Sequence, residues 1–301
     1  MRTRAYPPVP PHEMLPARTV IAPGRGELFL RDSGGDGPAV MLLHGWIASA
    51  DLNWHGAYEP LAQAGYRVLA IDHRGHGRGL RTLDRFRLVD CAGDAAAAVA
   101  VLGVASAIFV GYSMGGAIAQ LVARDHRDIV AGVVVSATAQ HWQDRETRRL
   151  WRLMGLTGAS LSVAPRTTWR TGFRRLGLEQ TPAAGWFMSE LLRHSPRDIA
   201  EAGRELGRFD SRPWLGSVQV PAASVITTRD SAVSPVKQRE LAAAIGGEVF
   251  EAPIDHLQVT ARGDQYNPAL LRALASLSPS ERARAASRSA PGAGTLDPAV
   301  G

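Results

Sequence analysis

The sequence predicts an α/β fold, a mostly parallel sheet flanked by helices, and three observations predict it. Short apolar runs rich in β-branched residues recur at 39–43, 67–71, 107–110, 130–135, 223–227 and 248–250. Runs without polar alternation suit parallel strands covered on both faces. Helix-like stretches at 53–64, 88–102, 116–126, 236–245 and 266–277 separate them, and strand–helix alternation argues for an open α/β sheet. Finally, chemistry-bearing residues directly follow several runs, at the carboxyl strand ends where such sheets carry their sites.

Taken in order, residues 1–17 read as a Pro-rich, mobile tail. Residues 27–31 alternate as an edge strand. The run 39–43 ends at His44-Gly45, 67–71 at Asp72, and 107–110 at Gly111. Residues 140–218 break the rhythm: they hold no clear β run and five of the seven tryptophans, and read as helices inserted between two strands. The core then comprises 18–139 and 219–278, and 279–301 is a second tail without apolar periodicity.

Composition narrows the function classes. At 301 residues and 45% hydrophobic, the chain can bury a large core. The net charge of +6 would suit nucleic acid, but it comes almost wholly from scattered arginines; Lys237 is the single lysine, and no recognition motif accompanies the charge. Cys91 is the only cysteine, so no intrachain disulfide forms; it sits in a helix pattern as a small apolar filler. The first 17 residues lack the apolar centre of a signal peptide, and no run of 18 apolar residues exists. The expectation is a cytoplasmic chain without a membrane span.

After the third run comes Gly111-Tyr112-Ser113-Met114-Gly115-Gly116, followed by a helical stretch. This is a G-x-S-x-G pattern in a strand–turn–helix setting. Its glycines let strand and helix approach while the turn lifts a serine hydroxyl clear. In a chain with 31 glycines the bare pattern is weak, since a serine capping a helix gives the same letters. A nucleophilic serine needs a base, and the base an orienting acid. Asp230 follows the run 223–227 and His256 follows 248–250. Ser113, Asp230 and His256 therefore arrive at strand ends in the order that this arrangement takes on such sheets. Asp255 and Asp264 are rival acids, but adjacency in sequence does not bring a carboxylate to the imidazole's far nitrogen. The Met114 N–H at the helix start and the Trp46 N–H after Gly45 are the expected oxyanion donors, with the Trp46 indole lining an acyl pocket.

Together these residues resemble the α/β-hydrolase superfamily, over residues 20–277. The resemblance rests on His44-Gly45-Trp46, Asp72-His73-Arg74-Gly75-His76-Gly77, the Ser113 motif, Asp230 and His256. The Asp72–Gly77 stretch is similar to that of capped members: esterases, non-haem haloperoxidase-like perhydrolases, epoxide hydrolases and haloalkane dehalogenases. The last two use an aspartate where this chain has Ser113, so the resemblance implies acyl chemistry on esters, thioesters, lactones or diketone carbon–carbon bonds. It implies an α/β-hydrolase fold with an inserted helical cap at 140–218, scaffold roles for Asp72 and Arg74, and chemistry that needs no metal or organic cofactor. Gly79 departs from the serine common there. Acyltransferases and small-ligand receptors share the fold and stay open as alternatives.

The expected partners are water and a small apolar ester-like substrate. Trp142, Trp186 and Met188 are the candidate substrate-binding residues of the cap. The same segment carries thirteen arginines against eight acidic residues.

Overall fold

The computed structural model describes residues 9–144, 147, 151–175 and 183–278. Eight strands form one sheet in the order β1-β2-β4-β3-β5-β6-β7-β8. The strands are β1 (Ala17–Ala22), β2 (Gly26–Asp32), β3 (Ala39–Leu43), β4 (Arg67–Ile71), β5 (Ala107–Tyr112), β6 (Val130–Ser136), β7 (Ala222–Thr227) and β8 (Glu248–Ala252). β1 and β2 pair antiparallel, and β2 joins β4 antiparallel; every pairing from β4 to β8 is parallel.

The unbroken apolar runs are explained by two separate cores. Side chains alternate across a strand, so Val40, Leu42, Ile108, Val110 and Val134 enter one core with helices α1 (Ala50–Gln63) and α9 (Gly263–Ser276). Met41, Leu43, Phe109, Val133 and Val135 enter the other, with α2 (Leu88–Val101), α3 (Met114–Asp125) and α8 (Pro235–Ile245). Cys91 is fully buried in the second core, as a filler would be.

Between β6 and β7 the chain forms α4 (Met154–Val163), α5 (Pro165–Arg175), α6 (Ala184–Leu191) and α7 (Pro196–Arg208). α7 starts cleanly: the Ser195 hydroxyl accepts the Asp198 N–H, and Pro196 occupies the first turn, where its missing N–H costs nothing. Arg78 of the core ties this insertion down with paired bonds of 2.8 and 2.7 Å to the buried Glu190 carboxylate. No helix among the described residues is long and apolar enough to cross a membrane.

One boundary needs correction. The expected tail 1–17 extends too far: its last residue begins β1, the Leu15 carbonyl accepts from Arg31 Nη1 at 2.9 Å, and the Pro16 carbonyl accepts the Asp32 N–H at 3.0 Å. Met14 and Leu15 pack on the core. β1 escaped the sequence pattern because most of this edge strand faces solvent, so it carries little apolar periodicity. Residues 1–8 and 279–301 lie outside the described residues.

Candidate active site

The site forms where β3, β5, β7 and β8 end. Ser113 is the hinge between β5 and α3, with φ 55 and ψ −116. A positive φ is uncommon for a residue with a side chain and stores roughly 1–3 kcal/mol of strain. The surroundings hold it there: its N–H donates to Ser136 O at 2.9 Å, and its carbonyl accepts from Thr138 Oγ1 at 2.8 Å. The flanking glycines are steric necessities. A Cβ on Gly111 would lie 2.2 Å from Gly115 O, and one on Gly115 would lie 2.0 Å from Leu43 O.

His256 lies after β8 with its Nε2 at 3.1 Å from Ser113 Oγ and its Nδ1 at 2.8 Å from Asp230 Oδ2. The Asp230 carboxylate accepts from every side: the N–H groups of Ala232 and Val233 on Oδ1, Thr227 Oγ1 and Gln238 Nε2 on Oδ2. An oxygen already acting as acceptor assigns the imidazole proton to Nδ1, which leaves the Nε2 lone pair facing the serine hydroxyl. The Tyr112 hydroxyl donates to the His256 carbonyl at 2.6 Å and so fixes the loop that carries the ring. Asp255 caps the short 3-10 turn at 256–258 and accepts the Ser231 N–H; Asp264 is paired with Arg262. Neither rival acid is the carboxylate bonded to His256.

Gly45 packs against the serine: a Cβ there would sit 3.4 Å from Ser113 Cβ. Its loop is clamped at three points. The Gly45 N–H donates to Asn53 Oδ1 at 2.8 Å, its carbonyl accepts from His44 Nδ1 at 2.8 Å, and His44 Nε2 accepts the His73 N–H at 3.0 Å. Trp46 follows in the same loop, before Ile47 at φ 63. Its indole is anchored to the insertion: Nε1 donates to Ile199 O of α7 at 2.8 Å and the ring meets Trp151 edge-on. Met114 begins α3, where the first N–H groups have no partner within the helix.

The three candidate residues of the insertion fall in different places. Trp142 is buried in the core against Phe209. Trp186 is buried with Leu52, Phe173 and Leu191, its ring edge-on to His55. Both indoles are spent on packing. Met188 is only partly buried and packs on the same cluster as Ile47 and Ala48 of the loop beside Ser113.

The Asp72–Gly77 stretch is a scaffold. Asp72 accepts the N–H groups of Ala50 and Arg78 at 2.7 Å each, while burial pushes its carboxyl up to about 6. Arg74 makes a paired bridge to Asp94 at 2.8 and 2.8 Å. A Cβ on Gly79 would lie 2.2 Å from His73 O, so the serine common among the similar sequences has no room here. Around this stretch His44, His73, His76 and His194 gather, with ring centroids 4.3 Å apart for His44–His73 and 5.5 Å for His76–His194. Among the described residues no group of three or more His, Cys, Asp or Glu side chains is arranged to hold a metal ion.

Asn53, Thr138 and Gln238 escaped the sequence reading. Each acts on another site residue through one side-chain hydrogen bond from a neighbouring element, and no local motif announces that.

The family model described as alpha/beta hydrolase fold matches residues 38–160. A non-heme haloperoxidase from Rhodococcus erythropolis is 41% identical over 117 residues, 38% of this chain and 42% of that protein. A bifunctional esterase/perhydrolase from Acinetobacter calcoaceticus is 40% identical over 114 residues, 37% and 41% of the two chains. The chain thus spans about two fifths of the length of these curated relatives. In overall shape it is similar to a bromoperoxidase from Bacillus anthracis, with TM-score 0.74 at 18% identity over 86% of this chain and 100% of that one. The eight-stranded, mostly parallel sheet and these likenesses agree: the chain has the α/β-hydrolase fold, and its residues 38–160 match that family's model.

Proposed function

We propose that the protein is a serine hydrolase that cleaves a carboxylic ester, or a related thioester or lactone, through an acyl-enzyme. The hydrogen-bonded chain from Ser113 Oγ through His256 to Asp230, at 3.1 and 2.8 Å, carries this reading. His256 Nε2 takes the serine proton as Oγ attacks the acyl carbon. Asp230 keeps the proton on Nδ1 and stabilises the imidazolium. The N–H groups of Met114 and Trp46 receive the developing oxyanion, and losing one such donor costs about 3 kcal/mol of transition-state stabilisation. The imidazolium then protonates the leaving alcohol. Water, deprotonated by the same nitrogen, attacks the acyl carbon and returns the serine.

The insertion 140–218 acts as the cap of this site, with the core at 18–139 and 219–278. Met188, which packs on the same cluster as Ile47, is the cap residue best supported as an acyl contact. The packing of Trp142 and Trp186 supports a structural part for both.

A perhydrolase is the second reading, and the match with the esterase/perhydrolase of Acinetobacter calcoaceticus favours it. The same acyl-enzyme would be attacked by hydrogen peroxide in place of water, releasing a peracid.

A fluorophosphonate probe followed by a panel of p-nitrophenyl esters tests the proposal. Labelling at Ser113 with ester turnover is expected. Unlabelled Ser113, or an Ser113→Ala variant that keeps its rate, overturns it. Peracid formation with added peroxide selects the second reading, and ligand-dependent thermal stabilisation without turnover would indicate a receptor.

A further inference from the structure

Most arginines of the core are spent on ion pairs, among them Arg31 on Asp51 at 2.6 Å, Arg67 on Asp32 at 2.9 Å and Arg74 on Asp94 at 2.8 Å. The hairpin of α4 and α5 is different. From 151 to 178 the sequence carries five arginines and no acidic residue. Arg152, Arg166, Arg170 and Arg175 are exposed and make no hydrogen bond or ion pair among the described residues. Arg166 and Arg170 stand one helical turn apart on the solvent face of α5, a like-charge spacing that destabilises a helix left to itself.

α4 supplies the other half of the surface. Met154, Gly158 and Leu161 face inward, with Gly158 against Ala200 of α7. The opposite face presents Leu153, Leu156 and Val163 to solvent, at 52%, 70% and 86% exposure. Ala164 alone joins the two helices, and a 2.7 Å bond between the Ser160 and Thr168 hydroxyls ties them side by side. Exposed aliphatic residues on α4 and unneutralised arginines on α5 of one hairpin match an anionic lipid surface: headgroups neutralise the guanidinium groups while the aliphatic side chains enter the acyl boundary. A nucleic acid would use the charge but has no use for Leu156 and Val163.

We propose that the α4–α5 hairpin docks the protein on anionic membrane surfaces. The proposal stands apart from the hydrolase reading and is tested in the full chain carrying Ser113→Ala, so that lipid turnover cannot intrude. Cosedimentation with phosphatidylglycerol/phosphatidylcholine vesicles is expected, weakening as salt rises, with little binding to phosphatidylcholine alone. Replacing Arg166 and Arg170 by Gln should weaken binding roughly 25-fold, about five-fold per charge. Leu156→Ser with Val163→Ser should also weaken it at constant charge. The same surface substitutions in the wild-type background should leave hydrolysis of a soluble p-nitrophenyl ester unchanged, which checks the fold. The proposal fails if phosphatidylglycerol vesicles are not bound, if phosphatidylcholine binds equally, or if either double variant binds as before. Salt-sensitive binding of a nucleic-acid duplex that ignores the Leu156 and Val163 changes would overturn it in favour of a nucleic-acid surface.

Discussion

His256 and the histidines around residues 72–77 are the same side chain in opposite settings. His256 keeps 13% of its side chain exposed and has both ring nitrogens engaged, one by a carboxylate and one by a hydroxyl. His73 is fully buried and neither of its ring nitrogens has a partner. His76 and His194 each use one nitrogen, toward the Arg74 carbonyl and the Gly77 N–H, and leave Nε2 unpaired. Among the described residues no carboxylate is hydrogen-bonded to this group. Burial holds His73 and His194 down at about 3, and His44 and His76 well below the usual 6.5. A buried imidazole becomes a general base only when something stabilises its charged form. Without that it is a neutral, shape-filling ring.

The largest effects should come from breaking the engaged histidine's chain. Ser113→Ala should lower kcat for ester hydrolysis by about 10⁶-fold. Asp230→Asn should lower it by about 10⁴-fold, because the amide no longer assigns the proton to Nδ1. Steady-state kinetics on one p-nitrophenyl ester checks both, and a rate within ten-fold of wild type for Asp230→Asn would remove that residue from the proposed role. Asn53→Ala comes next. It releases the Gly45 N–H and lets the loop that carries the proposed oxyanion donor Trp46 drift, so kcat should fall by up to about 100-fold with KM little changed. A change confined to KM would place Asn53 in substrate binding instead.

The buried histidines should show themselves in stability. They titrate lower in the folded chain than in the unfolded one, where histidine protonates near 6.5. Below that pH the unfolded chain takes up protons that the folded chain refuses. Stability should therefore be full above about pH 6.5 and fall with acid down to the folded values near 3, by up to about 1.4 kcal/mol per pH unit for each histidine. His55, lowered to about 4, adds to this. Asp72, raised to about 6, works against it, since its folded form takes a proton first on acidification. The histidines outnumber it. Denaturant unfolding between pH 7 and 5 measures the slope, and a flat profile would refute the account. The smallest effect isolates one ring: His73→Phe should lessen that slope by at most one histidine's share.

The sheet and the Ser113–Asp230–His256 order were legible because each leaves a local mark: β-branched runs, glycines at a turn, polar residues directly after strands. The supports of the site left none. Asn53 lies in a helix and Gln238 in another, and each matters only through an atom brought near by the fold. The anchoring of the Trp46 indole left no local mark for the same reason, since its acceptor, Ile199 O, lies 153 residues away. β1 was missed for lack of a buried face, and the absence of space around Gly79 is a backbone property that no residue type displays.

Lys237, the one lysine among 34 basic residues, anchors to Asp144 and to the His141 carbonyl where the chain leaves β6 for the inserted helices. That gives the molecule a nearly blank chemical background. Among side chains, amine reagents have this single target, and Cys91 is sealed in the core. A fluorophore on Lys237 would report directly on the joint between the sheet core and the inserted helices, and a cysteine introduced on α4 would give a second dye without competing thiols. Distance changes between the two, followed as substrate or vesicles are added, would read movement of the inserted helices with one substitution.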